Sequence, residues 1–216
     1  MNDVTRAYYE TQLAKLIPEL KRRSIEAVYF KTREEARKAV LEMIPQGSSV
    51  NTGGSVTLKE CGIEGALVQG NYDYYRSKVN AESDEAKRLD LRREATTADY
   101  CLGSLNAVAV TGEIVNIDGG GSRIGGYVYG AKNVILVAGV NKIVPTLDEA
   151  LRRARQYAAI RNAIRIHPSA PCATDATCHE GECYPPERLC GKVLIIEKES
   201  RPGRMTVVFV GEELGL

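Results

Sequence analysis

Cysteine and histidine, the residues that most often bind soft metals, are concentrated in one segment of the chain. Four of the six cysteines and both histidines lie between His167 and Cys190, with the cysteines spaced Cys172-x5-Cys178-x4-Cys183-x6-Cys190. Zinc binds four sulfur ligands tetrahedrally, and iron–sulfur clusters are held by four cysteines. Glycine and proline within the segment supply sharp turns, so four thiolates could fold around one centre. The spacing predicts a metal site, either an iron–sulfur cluster or zinc, and does not decide between them.

Other roles for these cysteines stay open from the sequence alone. A free cysteine is often a small buried hydrophobic residue, and a pair can form a regulatory disulfide or act as reactive thiols. His179 lies among the cysteines and could replace one of them as a ligand. His167 precedes a proline and fits the end of a helix, where a basic residue is favourable. Cys61 and Cys101 lie far from the segment, and we expect both in the core.

Two glycine-containing segments could bind an anion. The sequence VNTGGSVT, residues 50–57, places glycines and hydroxyls between a strand and a helix. Backbone N–H groups in such turns bind anions, so Gly53, Gly54, Ser55 and Thr57 are candidate ligand contacts. The pattern is neither a Walker A motif nor GxGxxG. The alternative is an ordinary turn in which Ser55 caps the helix.

The second segment, around the glycine block at 119–126, carries polar residues at strand ends. Asn116, Asp118, Arg123 and Lys142 could together hold a carboxylate, with arginine binding it bidentately and lysine acting as a point charge. Glu113 and Asp118 are candidate catalytic carboxylates. The alternative for each is a turn residue or a solvated charge, and surface on an edge strand for Glu113. No pattern of a hydrolase triad is present.

Hydrophobic periodicity predicts the elements that must position these residues. Capping boxes begin helices at Thr32 and Thr146, and Ser55 begins another. The continuous apolar run at 133–139 is typical of a strand buried on both faces. Helices are predicted at 3–23, 32–43, 55–62, 82–96 and 146–166, and strands at 26–30, 48–51, 98–102, 107–110, 113–117, 133–139, 193–197 and 205–210. This alternation predicts an α/β fold, a parallel or mixed sheet with helices on both faces, whose ligands bind at the carboxyl ends of strands.

Length and charge limit the classes of function. The 216 residues (23.6 kDa) predict a single domain over 1–216 with a Cys-rich loop at 167–191. A formal net charge of +1 argues against a dedicated nucleic-acid-binding protein. No apolar run of membrane-spanning length and no signal peptide is present, which predicts a cytoplasmic protein with reduced thiols. The five arginines between residues 152 and 165 are a solvated helix face or a docking surface for an acidic partner.

Five parts of the chain form a recognisable combination: NTGGSVTL (51–58), ATTADY (95–100), NIDGGGSR with GVNKIV (116–123 and 139–144), the Cys loop ending in PERLC (186–190), and VFVGEELGL (208–216). Together they resemble the LUD-domain family of lactate-utilisation proteins, in the branch of short single-domain members. The resemblance covers nearly the whole chain, from about residue 5 onwards. The interval between the second and third cysteines is longer here than in the family pattern.

The resemblance implies a Rossmann-like fold shared with ribose-5-phosphate isomerase, glucosamine-phosphate deaminase and the CoA transferases. Larger relatives belong to an iron–sulfur system that oxidises L-lactate to pyruvate, and most short members have no assigned reaction. It implies that Cys172, Cys178, Cys183 and Cys190 carry a family feature. By fold analogy, the loops at 53–57 and 116–123 line the ligand cleft.

Three functions are therefore considered, of which the first is preferred and the other two are alternatives. In the first, the protein takes part in oxidising lactate or another small 2-hydroxy acid, the Cys loop holds an iron–sulfur cluster, and iron–sulfur proteins are its partners. In the second, it is a non-redox enzyme acting on a sugar phosphate or CoA ester, with Glu113 or Asp118 as base or nucleophile. In the third, it is a binding or assembly module stabilised by zinc. A small carboxylate or phosphate ligand is expected, and a homo-oligomer stays open.

Overall fold

The computed structural model describes residues 1–216 and contains two sheets. The strands are β1 (Glu26–Phe30), β2 (Ser49–Thr52), β3 (Asp73–Tyr74), β4 (Tyr100–Gly103), β5 (Ala107–Ala109), β6 (Ile114–Asp118), β7 (Asn133–Gly139), β8 (Ile143–Val144), β9 (Lys192–Ile196) and β10 (Met205–Val210). Six of them form the main sheet in the order β1-β10-β7-β4-β2-β3, and every pairing in it is parallel.

Ten helices connect the strands. They are α1 (Asp3–Arg22), α2 (Arg33–Glu42), α3 (Val56–Glu60), α4 (Ile63–Gln69), α5 (Tyr75–Ala81), α6 (Glu85–Glu94), α7 (Ser122–Gly125), α8 (Leu147–Arg153), α9 (Ile160–Ile166) and α10 (Pro171–Asp175). A π-helical segment at Ala154–Ala159 joins α8 to α9, and another at Gly126–Gly130 follows α7. Short 3-10 turns lie at Ala95–Thr97 and Val140–Lys142.

The central strands of the main sheet bury side chains on both faces. On β7, Val134, Leu136 and Ala138 pack into a cluster with α1, whereas Ile135 and Val137 pack into a second cluster with α2, α3 and α4. Because successive side chains of a strand point to opposite faces, both clusters require apolar residues at consecutive positions. The predicted α/β fold, a Rossmann-like sheet with helices on both faces, is confirmed.

The smaller sheet has the order β8-β5-β6-β9 and mixes parallel and antiparallel pairs. One of its faces contributes Val108 and Ile114 to the cluster that contains α1. The other face packs Val115 and Ile117 against α8 and the beginning of the π-helical segment that follows it. The small sheet therefore holds the glycine block after β6 beside the carboxyl ends of the main strands.

Local sequence signals fix several element boundaries. Thr32 and Glu35 form the predicted reciprocal capping box, and the hydroxyl of Ser55 accepts a hydrogen bond from the N–H of Leu58 at the start of α3. Helix α6 begins three residues later than the predicted start at residue 82, because the carboxylate of Asp84 caps its first N–H groups. The helices α4 and α5 are absent from the sequence prediction.

Candidate functional site

A cleft opens at the carboxyl ends of β2, β4 and β7, which are neighbours in the main sheet. Its volume is about 480 Å³. The loop after each of these strands contributes to its wall, through Gly53–Thr57 after β2, Ser104 after β4, and Lys142 after β7. Ligands of parallel α/β sheets bind at this edge, so the cleft is the candidate site.

Lys142 lies at the floor of the cleft and is 3% exposed. Its Nζ lies 3.0 Å from Oγ1 of Thr57 and 2.9 Å from Oγ of Ser104. The three strand ends therefore meet at one amine. No carboxylate lies within 4 Å of this amine, so its charge has no ion-pair partner.

The pKa of Lys142 is lowered from 10.5 to about 7, mainly by burial and to a smaller extent by the positive charge of Arg153. Arg123 acts in the same direction, whereas Glu60 and Cys61 raise the pKa. Removing an ammonium group from water disfavours its charged form, which explains the sign of the main effect. Near neutral pH, a substantial fraction of Lys142 is therefore an uncharged amine, which can act as a base or nucleophile.

The two glycine segments meet through Arg123. A Cβ atom on Gly53 would lie only 3.0 Å from Cδ of Arg123, so the glycine leaves room for that side chain to cross the first loop. The guanidinium of Arg123 donates from Nε to Oδ2 of Asp118 at 3.1 Å. The other oxygen of Asp118 accepts from the N–H of Gly121 at 2.7 Å. Asp118 therefore positions Arg123 and the glycine block.

Two further guanidiniums converge on the first glycine loop. A Cβ atom on Gly54 would lie 3.6 Å from Nη2 of Arg76 and 3.9 Å from Nη2 of Arg165. Arg165 donates to the carbonyl of Gly54 and to Asn162, and Arg76 donates to no protein group. No carboxylate lies within 4 Å of either guanidinium, so both keep donors available for a bound anion.

The charges that line the cleft are strongly unbalanced. A single acidic side chain, that of Asp118, faces five basic side chains, which are Arg76, Arg92, Arg123, Lys142 and Arg165. The chain as a whole has a formal charge of only +1, so this excess is local to the cleft. Clefts lined by one sign of charge concentrate ligands of the opposite sign. The cleft is therefore suited to an anionic ligand.

Most of the residues proposed from the sequence lie in this cleft. It is lined by Gly53, Gly54, Ser55, Thr57, Asp118, Arg123 and Lys142. Asn116 is fully buried in β6 with neither atom of its side-chain amide hydrogen-bonded, and it is not among the lining residues. The sequence thus identified both glycine loops and the lysine, and the structure shows that they form a single cavity.

Glu113 lies outside the cleft, at the turn between β5 and β6. Its Oε1 accepts a hydrogen bond from Arg23 at 2.7 Å, and its other oxygen accepts one from the hydroxyl of Thr111. The pKa of Glu113 is lowered in spite of its desolvation, because these hydrogen bonds stabilise the carboxylate. Glu113 joins the end of α1 to the smaller sheet, so no step in this cleft is assigned to it.

Sequence reasoning missed Ser104, Arg76 and Arg92. Ser104 follows β4 directly, and its position at a strand end next to the other two was a usable signal. Arg76 and Arg92 lie on α5 and α6, two helices with no fully buried residue. Basic residues on such helices are ordinarily solvated, so no pattern in the sequence indicates that these two face the cleft.

The four clustered cysteines line a second, separate cavity. Cys172, Cys178, Cys183 and Cys190 surround a space of about 30 Å³, with His179 beside them. All six cysteines of the chain are free thiols. Burial raises the pKa of Cys172 and of Cys183, and neighbouring thiols add to the effect. Thiols with raised pKa values are protonated and weakly nucleophilic at neutral pH.

The predicted metal site requires thiols placed at coordination distance. No three side chains of His, Cys, Asp or Glu are arranged to hold an ion. The cavity also has about the volume of one water molecule, too little for a cluster of several iron and sulfide atoms. The thiols as arranged do not fit a cluster, so no chemical step is derived through one. The metal site stays a prediction from the sequence.

None of the helices combines the length needed to cross a membrane with a sufficiently apolar composition. The expectation that the chain contains no membrane-spanning helix is thus confirmed.

Comparison with known proteins gives one family and one fold. The family model described as the LUD domain matches residues 13–210. The chain is similar to the crystal structure of a DUF162 family protein from Deinococcus radiodurans, with a TM-score of 0.51 and 13% identity over 95% of this chain and 98% of that chain. At this identity the similarity concerns the fold alone. No curated protein matches the chain.

Proposed function

Because the chain belongs to the LUD-domain family, whose short members resemble sugar-phosphate enzymes in fold, we propose that it is a non-redox enzyme acting on a small phosphorylated compound. The observation that carries this proposal is the cleft that Lys142 lines together with four arginines and a single acidic side chain. The anionic end of the compound binds at Arg76 and Arg165, and Lys142 exchanges a proton with the reacting carbon or oxygen.

The size and charge of the cleft favour a phosphate ester over lactate. A volume of about 480 Å³ falls within the range of about 300–1,000 Å³ typical of small-molecule sites. A three-carbon acid such as lactate would occupy only a small part of it and would carry one charge. A sugar phosphate, or the phosphate groups of a CoA ester, would use several of the guanidiniums, which bind phosphate oxygens bidentately.

Lys142 supplies the acid–base chemistry of the proposed reaction. A base is most effective when its pKa is near the working pH, and burial brings the pKa of Lys142 to about 7. Asp118 was the sequence candidate for this role. Its two oxygens are already engaged by Arg123 and Gly121, so we assign it to positioning.

Ligand binding is the first test. Melting temperature is measured with inorganic phosphate, ribose 5-phosphate, acetyl-CoA and L-lactate, each at several concentrations, since a ligand that binds the native state raises it. We expect ribose 5-phosphate or acetyl-CoA to raise the melting temperature most. In R76Q or R165Q, the apparent Kd for that ligand should be at least tenfold higher. R93Q is the matched control, since Arg93 pairs with Asp90 on α6 and does not line the cleft.

Turnover is the second test. Sugar phosphates and CoA esters are incubated with the protein in D2O, and proton exchange at carbon is followed by NMR. Exchange that depends on Lys142 supports the proposal. If no anion in the panel shifts the melting temperature, the proposed function is wrong.

A second candidate function rests on the four thiols that line one cavity. In this proposal, the protein takes part in the use of lactate or another 2-hydroxy acid, as the family resemblance implies, with an iron–sulfur cluster or zinc in the Cys loop. Analysis of metal and labile sulfide in anaerobically purified protein tests it. Iron with matching sulfide supports electron transfer with iron–sulfur partner proteins, and zinc without sulfide supports a binding or assembly module. A metal-free protein contradicts both.

Other features of the proposal rest on the sequence alone. The single domain over 1–216, the cytoplasmic location and the homo-oligomer stay predictions. Size-exclusion chromatography with light scattering tests the oligomer directly.

A further inference from the structure

We propose that Lys142 is a covalent nucleophile, and that the protein captures an anionic aldehyde or ketone as an imine on Nζ. This inference rests on the proposed function and deepens it by naming a carbonyl group as the reacting part of the ligand. It assigns the two ends of the cleft different tasks. The arginines hold the charged end, and the lysine bonds to the carbonyl carbon.

The position of Lys142 is the first support. It is the one lysine among the residues that line the cleft, and its side chain is buried at the end of β7. An amine that is paired with a carboxylate stays protonated and cannot attack a carbonyl. The amine of Lys142 contacts two neutral hydroxyls instead, and Arg153 opposes its positive charge. A lysine that is desolvated beside another cation is an activated nucleophile.

The two hydroxyls are the second support. Imine formation needs proton transfers at the attacking nitrogen and at the departing oxygen. The hydroxyls of Thr57 and Ser104 both lie within 3.0 Å of Nζ, Thr57 from the helix that follows β2 and Ser104 from the segment that follows β4. A hydroxyl both donates and accepts, so each can pass a proton without becoming charged.

The chemistry balances without an external oxidant or reductant. The lone pair of neutral Nζ forms a bond to the carbonyl carbon, and the carbonyl oxygen takes up the proton that leaves the nitrogen. The resulting carbinolamine loses its hydroxyl with a second proton as water, which leaves a C=N bond. The overall change is amine plus carbonyl to imine plus water. The imine then withdraws electrons from the adjacent carbon, so that carbon can lose a proton.

The position of two arginines on the first glycine loop supports this assignment of roles. Arg76 and Arg165 converge on Gly54, three residues before Thr57. A ligand whose phosphate or carboxylate lies there places its carbon chain along the first glycine loop towards Lys142. We therefore expect carbonyl compounds that carry an anionic group to react, and neutral carbonyl compounds of similar size to react much more slowly.

Reductive trapping tests the inference. The full chain is incubated with sodium borohydride and either dihydroxyacetone phosphate, pyruvate or the neutral probe dihydroxyacetone. Borohydride converts an imine to a stable amine, whose mass increase equals the probe less one oxygen atom. We expect a single adduct that peptide mapping places on Lys142, formed at least tenfold faster with an anionic probe than with dihydroxyacetone.

Variants separate a nucleophile from a base. K142R keeps the positive charge and should give no adduct, whereas K132R, a change at an exposed lysine outside the cleft, should react like the wild type. T57V and S104A should each slow trapping about tenfold or more. Circular dichroism and melting temperature confirm that each variant is folded.

The outcomes distinguish this inference from the proposed function. If the phosphate ester binds in the melting assay but no adduct forms on Lys142, the imine is wrong and Lys142 as a base survives. Adducts spread over surface lysines at equal rates also overturn the imine. If no anion binds, the proposed function itself fails.

Discussion

Nζ of Lys142 lies 3.0 Å from Oγ1 of Thr57, a residue 85 positions away in the chain. This contact keeps an amine in the interior without a counterion, which costs free energy of folding whenever the amine is protonated in the unfolded chain. The same arrangement that makes Lys142 reactive therefore makes it destabilising.

The first prediction concerns the pH dependence of stability. The folded pKa of Lys142, about 7, is below its unfolded value of 10.5. Between these values the unfolded state binds one more proton, so the folded protein gains stability as the pH rises. We measure the unfolding free energies of the wild type and of K142M by chemical denaturation between pH 7 and 10. Relative to K142M, the wild type should gain up to about 1.4 kcal/mol of stability for each pH unit.

The exposed Lys198 supplies the control for that experiment. K198M should give a curve parallel to the wild type, because an exposed amine has no burial penalty. If K142M also runs parallel to the wild type, Lys142 is not the desolvated amine that the cleft geometry implies.

The second prediction concerns Asp99, which joins the starts of three strands. Hydrogen bonds from Lys132 and from Ser49 lower its pKa to about 2 from 3.8. The resulting stability is present above pH 3.8 and is lost as the pH falls through about 2. Because the carboxylate is 34% exposed, solvent screening reduces the effect, and we expect D99N to lose about 1 kcal/mol at pH 7.

Urea denaturation at pH 7 and at pH 3 measures this difference, which should shrink at the lower pH. D90N is the control, because Asp90 forms only an exposed pair with Arg93 on one helix. A loss at Asp99 no larger than at Asp90 would refute a special role for Asp99.

The third prediction concerns the close approach of Tyr127 to β4. A Cβ atom on Gly103 would lie 1.6 Å from the hydroxyl oxygen of Tyr127, so G103A forces the buried ring to move. Overpacking of this kind costs about 1–3 kcal/mol or more. G120A is the matched control, since a Cβ there meets nothing within 4 Å.

The double variant G103A/Y127F removes the closest contact and should recover part of the loss. Melting temperature measures all three variants. If G103A melts together with G120A, the ring does not occupy the position described.

The fourth prediction concerns the buried ion pair of Arg204 and Glu199. Arg204 donates to Glu199 at 2.6 Å and to the backbone carbonyls of Gly126, Tyr127 and Ala131. The side chains are 3% and 7% exposed. Removing one partner of a buried pair leaves an uncompensated charge and costs about 3–5 kcal/mol.

R204M should therefore lower the unfolding free energy by about 3–5 kcal/mol, as measured by denaturation in urea. R201M changes an exposed arginine in the same turn and should cost less than about 1 kcal/mol. Equal losses in the two variants would contradict the assigned network.

Much of the fold could be predicted from the sequence, because the signals for these elements are local. The apolar run at 133–139 requires burial on both faces, and the structure places it as β7 in the centre of the sheet. Ser55, Thr32 and Thr146 each cap a helix as predicted. The order of the strands was not readable. Residues 193–197 and 205–210 look alike as β-rich runs, yet β9 lies at the edge of the small sheet and β10 is an interior strand of the main one.

The residues of the candidate site could be predicted from the sequence where they lie in turns of characteristic composition. The glycine loops were found because glycine and hydroxyl residues follow strands there. The convergence of Ser104 and Thr57 on Lys142 depends on which strands are neighbours, which local sequence does not specify. Local sequence also does not show that Glu113 is already paired, because its partner Arg23 lies 90 residues away in the chain. Glu113 therefore looks like a free catalytic carboxylate in the sequence.

The strand order also determines when the main sheet can be completed during synthesis. Strand β1 has a single neighbour in the sheet, β10, which is formed by residues 205–210. Translation exposes β1 at the ribosome while its partner has yet to be made. The main sheet therefore closes only after residue 210 has left the exit tunnel, and until then β1 has no partner strand.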